Sequence, residues 1–230
     1  MENTQFRRPF DPAALDLESS FRLTKYSDLK GCGCKVPQAV LGKLLGDIFT
    51  ETVFESQQNQ DANQGYQQLF NIGQGQPPRV QRIGAAGLTD CSVISLKQEG
   101  LCMLQSADYL YPLIDDPYMM GMIACASVLS DLYATGVTDC DSIQMLLGIS
   151  SRITQKERDI IAPLMIRGFR DAAEVAGCAV RGGQTVVNPW MLLGGIATTV
   201  VPRNIIVIHD GHTMPWLKMC WCSPNLLAHT

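Results

Sequence analysis

The stretch ADYLYPLIDDPYMMGMIACASVLSDLYATGVTDCD, residues 107–141, decides how this chain is built. Asp115-Asp116-Pro117 opens a helix: an acidic N-cap is followed by a proline in the first turn, where no intrahelical N–H is needed. The apolar run behind it carries the helix to about Ala134, and Gly136 stops it. Upstream, Asp108 follows a strand. Asp131 interrupts the helix among Val128, Leu129, Leu132 and Tyr133, where a charge is costly to bury unless it is paired or bound to a metal. A solvated helix edge is the other reading of Asp131.

Outward from this helix, strands and helices are mixed. Ser92–Leu96 and Leu101–Gln105 read as a strand pair across the turn Lys97-Gln98-Glu99-Gly100. Ile143–Ile149 reads as a buried strand. Thr154–Ala176 is a long amphipathic helix, with Ile160, Ile161, Leu164, Phe169, Ala172 and Ala176 on one face and Gly177 closing it. Met191–Val201 is a last apolar strand, and its Gly194-Gly195 signals close backbone approach. The class is therefore α/β or α+β, with the core domain at 80–201. Residues 1–50 form an N-terminal segment: 1–30 are polar and irregular, the Lys30–Pro37 loop follows, and a short amphipathic helix, Val40–Phe49, ends it. Residues 51–79, rich in Gln, Asn and Gly, read as a flexible linker. Residues 202–230 read as an irregular tail.

Composition narrows the function. The chain has 230 residues, 46% of them apolar and 17% charged, as expected of a globular enzyme. A net charge of -4 without a basic stripe argues against nucleic-acid binding. The first residues carry no apolar signal region, and the longest apolar run, Met119–Leu129, is too short to span a bilayer. The nine cysteines, an odd count, fit free thiols in a reducing compartment, so a cytoplasmic location is expected.

Polar groups then collect where a core would not place them. Lys30-Gly31-Cys32-Gly33-Cys34-Lys35-Val36-Pro37 sets a thiol three residues from an amine on a glycine-loosened loop. A cation favours the reactive thiolate, and a lysine on such a loop is a point charge for phosphate. A flexible turn with idle thiols is the competing reading. Asp90 stands at the entrance to a strand, and both it and Asp108 read equally as turn caps. Arg181-Gly182-Gly183-Gln184-Thr185, between a helix and a strand, reads as a phosphate-facing nest of N–H groups or as an ordinary tight turn. Carboxylates beside phosphate suggest Mg²⁺, which bridges the two through oxygen ligands.

Four stretches, SFRLTKYSDLKGCGCKVPQ, DCSVISL, residues 107–141 and GGQTVVNPW, are similar to selenophosphate synthetase (selenide, water dikinase), animal members above all. That family belongs to the superfamily of aminoimidazole ribonucleotide synthetase. The resemblance implies a mixed sheet flanked by helices and an enzyme that makes selenophosphate from ATP and selenide, releasing AMP and orthophosphate for selenocysteine synthesis. It implies Cys32 and Lys35 as catalytic residues and Asp90 and Asp131 as magnesium ligands. It also implies nucleotide contacts from Lys35, Asp90, Asp108, Asp131, Gly182, Gly183, Gln184 and Thr185. Partners would be ATP, selenide and a second subunit, since the family dimerises through the sheet of this domain.

The chain departs from the family's pattern in three places. The glycine-rich approach to the first metal aspartate is respaced in Gly84-Ala85-Ala86-Gly87-Leu88-Thr89-Asp90. Ser106-Ala107-Asp108 replaces Thr-Thr-Asp. After Val201 the family's second domain is expected but does not follow. One codon choice for the family's usual continuation, read one nucleotide later, translates as Met219-Cys220-Trp221-Cys222-Ser223-Pro224-Asn225-Leu226-Leu227-Ala228-His229. The tail is therefore read as a shifted frame on a truncated chain, and Cys220, Cys222, His209, His212 and His229 as an accidental imitation of a zinc cluster. The alternative function is a non-catalytic isoform that binds nucleotide or forms a mixed dimer with full-length subunits.

Overall fold

The computed structural model describes residues 7–29, 35–37, 40, 44 and 90–206. Five strands and two long helices follow in chain order: β1 Cys91–Ser95, β2 Leu101–Leu110, α1 Pro117–Tyr133, β3 Ser142–Ser150, α2 Gln155–Val175, β4 Val180–Asn188 and β5 Leu192–Pro202. The strands form one mixed sheet in the order β1-β2-β5-β3-β4; only β3 and β4 run parallel, joined by α2. The expected elements are present within a residue or two at each end, apart from two relocations. β2 continues past Gln105 to Leu110, so Asp108 lies inside a strand, paired with Gly195, and not after it. Gly182–Thr185 also lie in a strand, β4, and not in a connecting turn. The helix expected at 40–49, the linker at 51–79, Cys32 and nearly all of the tail fall outside the described residues.

Local chemistry explains the helices. The Asp116 side chain accepts the N–H groups of Tyr118 and Met119, capping α1, with Pro117 behind it. Thr154 and Glu157 form a reciprocal capping box at the start of α2. Both helices lie on one face of the sheet and cross where Gly121 and Gly168 meet. A Cβ on Gly168 would run into the Tyr118 carbonyl and one on Gly121 into the Met165 carbonyl, so each helix touches the other's backbone. Phe169, Met165, Ile161 and Leu132 are buried beside this crossing. Gly168→Ala should lower stability by roughly 1–3 kcal/mol, since both neighbours are backbone and cannot turn aside; chemical denaturation measures it, and an unchanged midpoint refutes the close crossing.

The sheet's two faces differ. Along β2 the even-numbered residues Cys102, Leu104 and Ser106 are buried beneath the helices, while Met103, Gln105 and Tyr109 point the other way. On that second face the described residues carry no covering element, and Tyr109 and Val200 stand exposed.

Residues 7–29 wrap across the starts of both helices. Arg7 Nη1 donates to Asp116 at 2.6 Å, Thr24 N–H and hydroxyl both donate to Asp115 Oδ1, and the Tyr26 hydroxyl donates to Glu157 Oε1 at 2.7 Å. Phe21, Leu23 and Tyr26 are buried there. This anchored segment leads directly into the loop that carries Lys35.

Candidate functional site: an acidic cluster around Lys35

Three elements and one loop converge at the C-terminal half of α1. Asp90 immediately precedes β1, whose Cys91 is paired with Ser106 of β2. Asp108 follows Ser106 by two residues and shares its face. Asp131 stands on α1, one turn after Ser127. Lys35 Nζ lies 3.6 Å from Asp90 Oδ2 in an exposed pair. Asp90 keeps the lysine protonated beyond its usual range, burial works against this, and Asp108 and Asp131 add to it. Asp131 is half-buried, and its pKa is raised by burial first and then by Asp90 and Asp108; Lys35 and the Ser106 hydroxyl pull it down in part. The structure thus brings together Lys35, Asp90, Asp108 and Asp131, three carboxylates against one ammonium.

The carboxylates are not equivalent. Asp108 accepts the Tyr109 N–H on Oδ1 at 2.9 Å and the Ser127 hydroxyl on Oδ2 at 2.5 Å. The Ser106 hydroxyl is fully buried without a hydrogen-bond partner of ordinary geometry, although it lies close enough to Asp131 to favour its ionised form. Among the described residues no three His, Cys, Asp or Glu side chains close on a single point to hold a metal. Two oxygen-bearing side chains and a wet, anionic surround suit an ion that also takes phosphate oxygens.

Because Asp131 is strained toward its neutral form, Asp131→Asn should stabilise the ligand-free protein slightly, by on the order of 1–3 °C in melting midpoint. A carboxylate with a raised folded pKa binds more protons folded than unfolded. Its contribution is therefore favourable below the ordinary value of 3.8 and is lost as pH rises through the folded pKa, so the gain should appear at neutral pH and vanish in acid. Thermal melts of both forms at pH 7 and near pH 3.5 check this; a less stable variant at pH 7 would contradict the carboxylate crowding.

Gly182–Thr185 are not part of this cluster within one chain. Gly183 pairs with Met145, which pairs with Gly195, which pairs with Asp108. Three strand spacings separate Gly183 from Asp108, about 14 Å. Gly183 has a structural cause of its own: its φ is +144°, and a Cβ there would strike the Met145 carbonyl. Sequence reading missed Ser127. Its spacing of four residues from Asp131 on one helix was the available signal.

A cavity of about 670 Å³ lies elsewhere, lined by residues that include Lys25, Tyr26, Arg152, Lys156 and Glu157. Much of its polar lining is satisfied internally, by Lys156 on Asp16 at 2.9 Å and Tyr26 on Glu157 at 2.7 Å. The surplus of charge, not this hollow, marks the candidate site.

Residues 88–201 match the family model described as AIR synthase related protein, N-terminal domain. This segment is an AIR synthase related domain. The chain is homologous to selenide, water dikinases: it is 46% identical over 213 residues to selenide, water dikinase 2 of Homo sapiens, covering 88% of this chain and 46% of that protein. It is 38% identical over 216 residues to the selenide, water dikinase of Trypanosoma brucei brucei, covering 91% of this chain and 47% of that one. The chain thus spans about half the length of the curated relatives it matches. A solved structure, AaThiL complexed with AMPPCP and TMP, superposes with a TM-score of 0.50 at 16% identity, covering 78% of this chain and 48% of that one. It shares the fold of the AIR synthase related domain. No described helix is long and apolar enough to cross a membrane.

Proposed function

We propose that this chain is the nucleotide-binding part of a selenide, water dikinase, serving the reaction in which ATP, selenide and water give selenophosphate, AMP and orthophosphate. The observation that carries the reading is the convergence of Lys35, Asp90, Asp108 and Asp131 at one place on an AIR synthase related domain. Homologues at 46% identity that bear the name of this activity support it.

In this reading Lys35 contacts the transferred phosphoryl group and offsets charge developing on its oxygens. Asp90 and Asp131 hold Mg²⁺, which would neutralise the triphosphate when bound. The hard oxygen donors, with the buried Ser106 hydroxyl beside Asp131, fit such a group. Asp108 and Ser106 line the floor between them. Cys32, three residues before Lys35, steers selenide as thiolate. Gly182–Thr185 meet the nucleotide away from the reacting phosphates. The setting is the cytoplasm.

Selenide-dependent AMP release by the purified chain tests the reading. Release above a selenide-free control, lost in Cys32→Ser while nucleotide binding persists, is the expected result; no binding of magnesium nucleotide at all refutes it.

The sheet face that no described element covers favours a second, compatible element: two copies, or one copy and a full-length subunit, meet through that face. If nucleotide binds but AMP is released only on mixing with a full-length subunit, the non-catalytic partner is the correct assignment.

A further inference from the structure

The seam between α1 and β2 carries a pattern that the nucleotide reading leaves unused. A serine hydroxyl on a helix commonly folds back onto a carbonyl of the preceding turn. Ser130 does so, donating to the Ser127 carbonyl at 2.7 Å. Ser127 instead turns across to the strand and donates to Asp108 Oδ2 at 2.5 Å, while the Tyr109 N–H holds Oδ1 at 2.9 Å. One bond comes from the carboxylate's own strand and one from the facing helix, so the plane of the Asp108 carboxylate is fixed by two separate elements. About four lone-pair sites exist on a carboxylate, and roughly half remain open after these bonds. The same spacing logic recurs in reverse: Ser106 sits beside Asp108 on β2, and Ser127 beside Asp131 on α1, so each element contributes one hydroxyl and one carboxylate.

Resting on the nucleotide reading above, we propose that Ser127 is a positioning residue for magnesium–phosphate recognition, its hydroxyl holding Asp108 in the orientation that faces the ligand without touching the ligand itself. An Asp108 released from Ser127 would keep only the Tyr109 N–H and would swing about that bond toward the Lys35 ammonium inside the cluster. That would withdraw Lys35 from phosphate and disorder the acceptor set at once. Partners of this kind, one step behind the groups that bind, change affinity tenfold or more when removed.

The test is calorimetric titration of the full chain with magnesium and a non-hydrolysable ATP analogue, alongside ligand-free thermal melts. Wild type, Ser127→Ala, Ser127→Thr, Ser127→Cys and Ser130→Ala are compared. Expected is a loss of about 10-fold or more in affinity for Ser127→Ala, an intermediate loss for Ser127→Cys with its weaker donor, and values near wild type for Ser127→Thr and Ser130→Ala. Wild-type affinity in Ser127→Ala, or a Ser127→Thr as weak as Ser127→Ala, overturns the positioning role while leaving the nucleotide reading intact. A weakening that follows only a fall in melting midpoint assigns Ser127 to the α1–β2 seam alone and overturns it too. Failure of the wild-type chain to bind the magnesium nucleotide removes both the reading and this role.

Discussion

Lys35→Met should weaken magnesium-nucleotide binding by on the order of a hundredfold, and any phosphoryl transfer with it. The size follows from what is left behind. Lys35 is the cation placed among Asp90, Asp108 and Asp131, and all three carboxylates favour its charged form. Without it, only the magnesium would stand between three carboxylates and the triphosphate, so the variant loses an attraction and uncovers a repulsion. Lys35→Arg restores the charge but spreads it over a planar fork and should recover only part of the affinity. Lys156→Met is the control, since that lysine pairs with Asp16 outside the cluster. Titration with a magnesium–ATP analogue decides it; equal affinity in Lys35→Met and wild type would remove Lys35 from the site. The pH dependence has a defined sign on both sides. The lysine's pKa is raised, so its contribution is complete below the ordinary value of 10.5 and is lost only as pH climbs through the higher folded value. Protons compete with the metal for Asp131, whose pKa is also raised, so binding should fall on acidification at a pH above 3.8.

How much of this was legible in the sequence depended on whether the signal was local. Asp116-Pro117 and Thr154 with Glu157 announce helix starts because capping is settled within four residues, and both helices begin where expected. Asp108 was placed beyond its strand because the apolar alternation fades after Gln105. The strand continues there for a non-local reason: Ala107, Asp108, Tyr109 and Leu110 pair with Ile196, Gly195, Gly194 and Leu193, eighty residues or more further along. Gly182-Gly183 illustrates the opposite error. The pair was legible as a backbone of unusual freedom, but Gly183 uses it inside the ladder, where its φ of +144° brings it against the Met145 carbonyl of β3. The charged candidates were visible one by one, Asp131 as a costly burial, Asp90 and Asp108 as carboxylates beside strands and Lys35 as a cation on a glycine loop. Their convergence depends on strand order, and that order is fixed by long-range pairing. Ser127 carried no such cost in the sequence, since a serine on a helix is ordinary, and only its cross-seam bond to Asp108 distinguishes it.

A charge at the centre of the sheet face that no described element covers should break the proposed pairing of two copies. Register places Met103, Tyr109, Leu146, Ile196, Thr198 and Val200 on the side away from α1 and α2, across three neighbouring strands. Tyr109 is 58% exposed and Val200 43%, high values for an aromatic and a β-branched residue in a sheet whose other face is closed. An antiparallel sheet can keep one face in water, but that face then normally alternates to polar side chains. Here Met103, Tyr109, Leu146, Ile196 and Val200 make an apolar strip, interrupted by Gln144 and by Gln105, which donates to the Thr198 hydroxyl at 3.2 Å; such a strip suits a surface that meets another. Ile196 lies on β5, flanked by β2 and β3, so a carboxylate there would be buried unpaired at the middle of any such contact. Ile196→Asp should therefore weaken self-association by more than about a hundredfold, while the helix-side core, and with it the far-UV spectrum, is unchanged. Light scattering across a concentration series measures this. A wild-type chain that stays monomeric at high micromolar concentration, or an Ile196→Asp variant as dimeric as the parent, would show that this face does not pair copies of the chain.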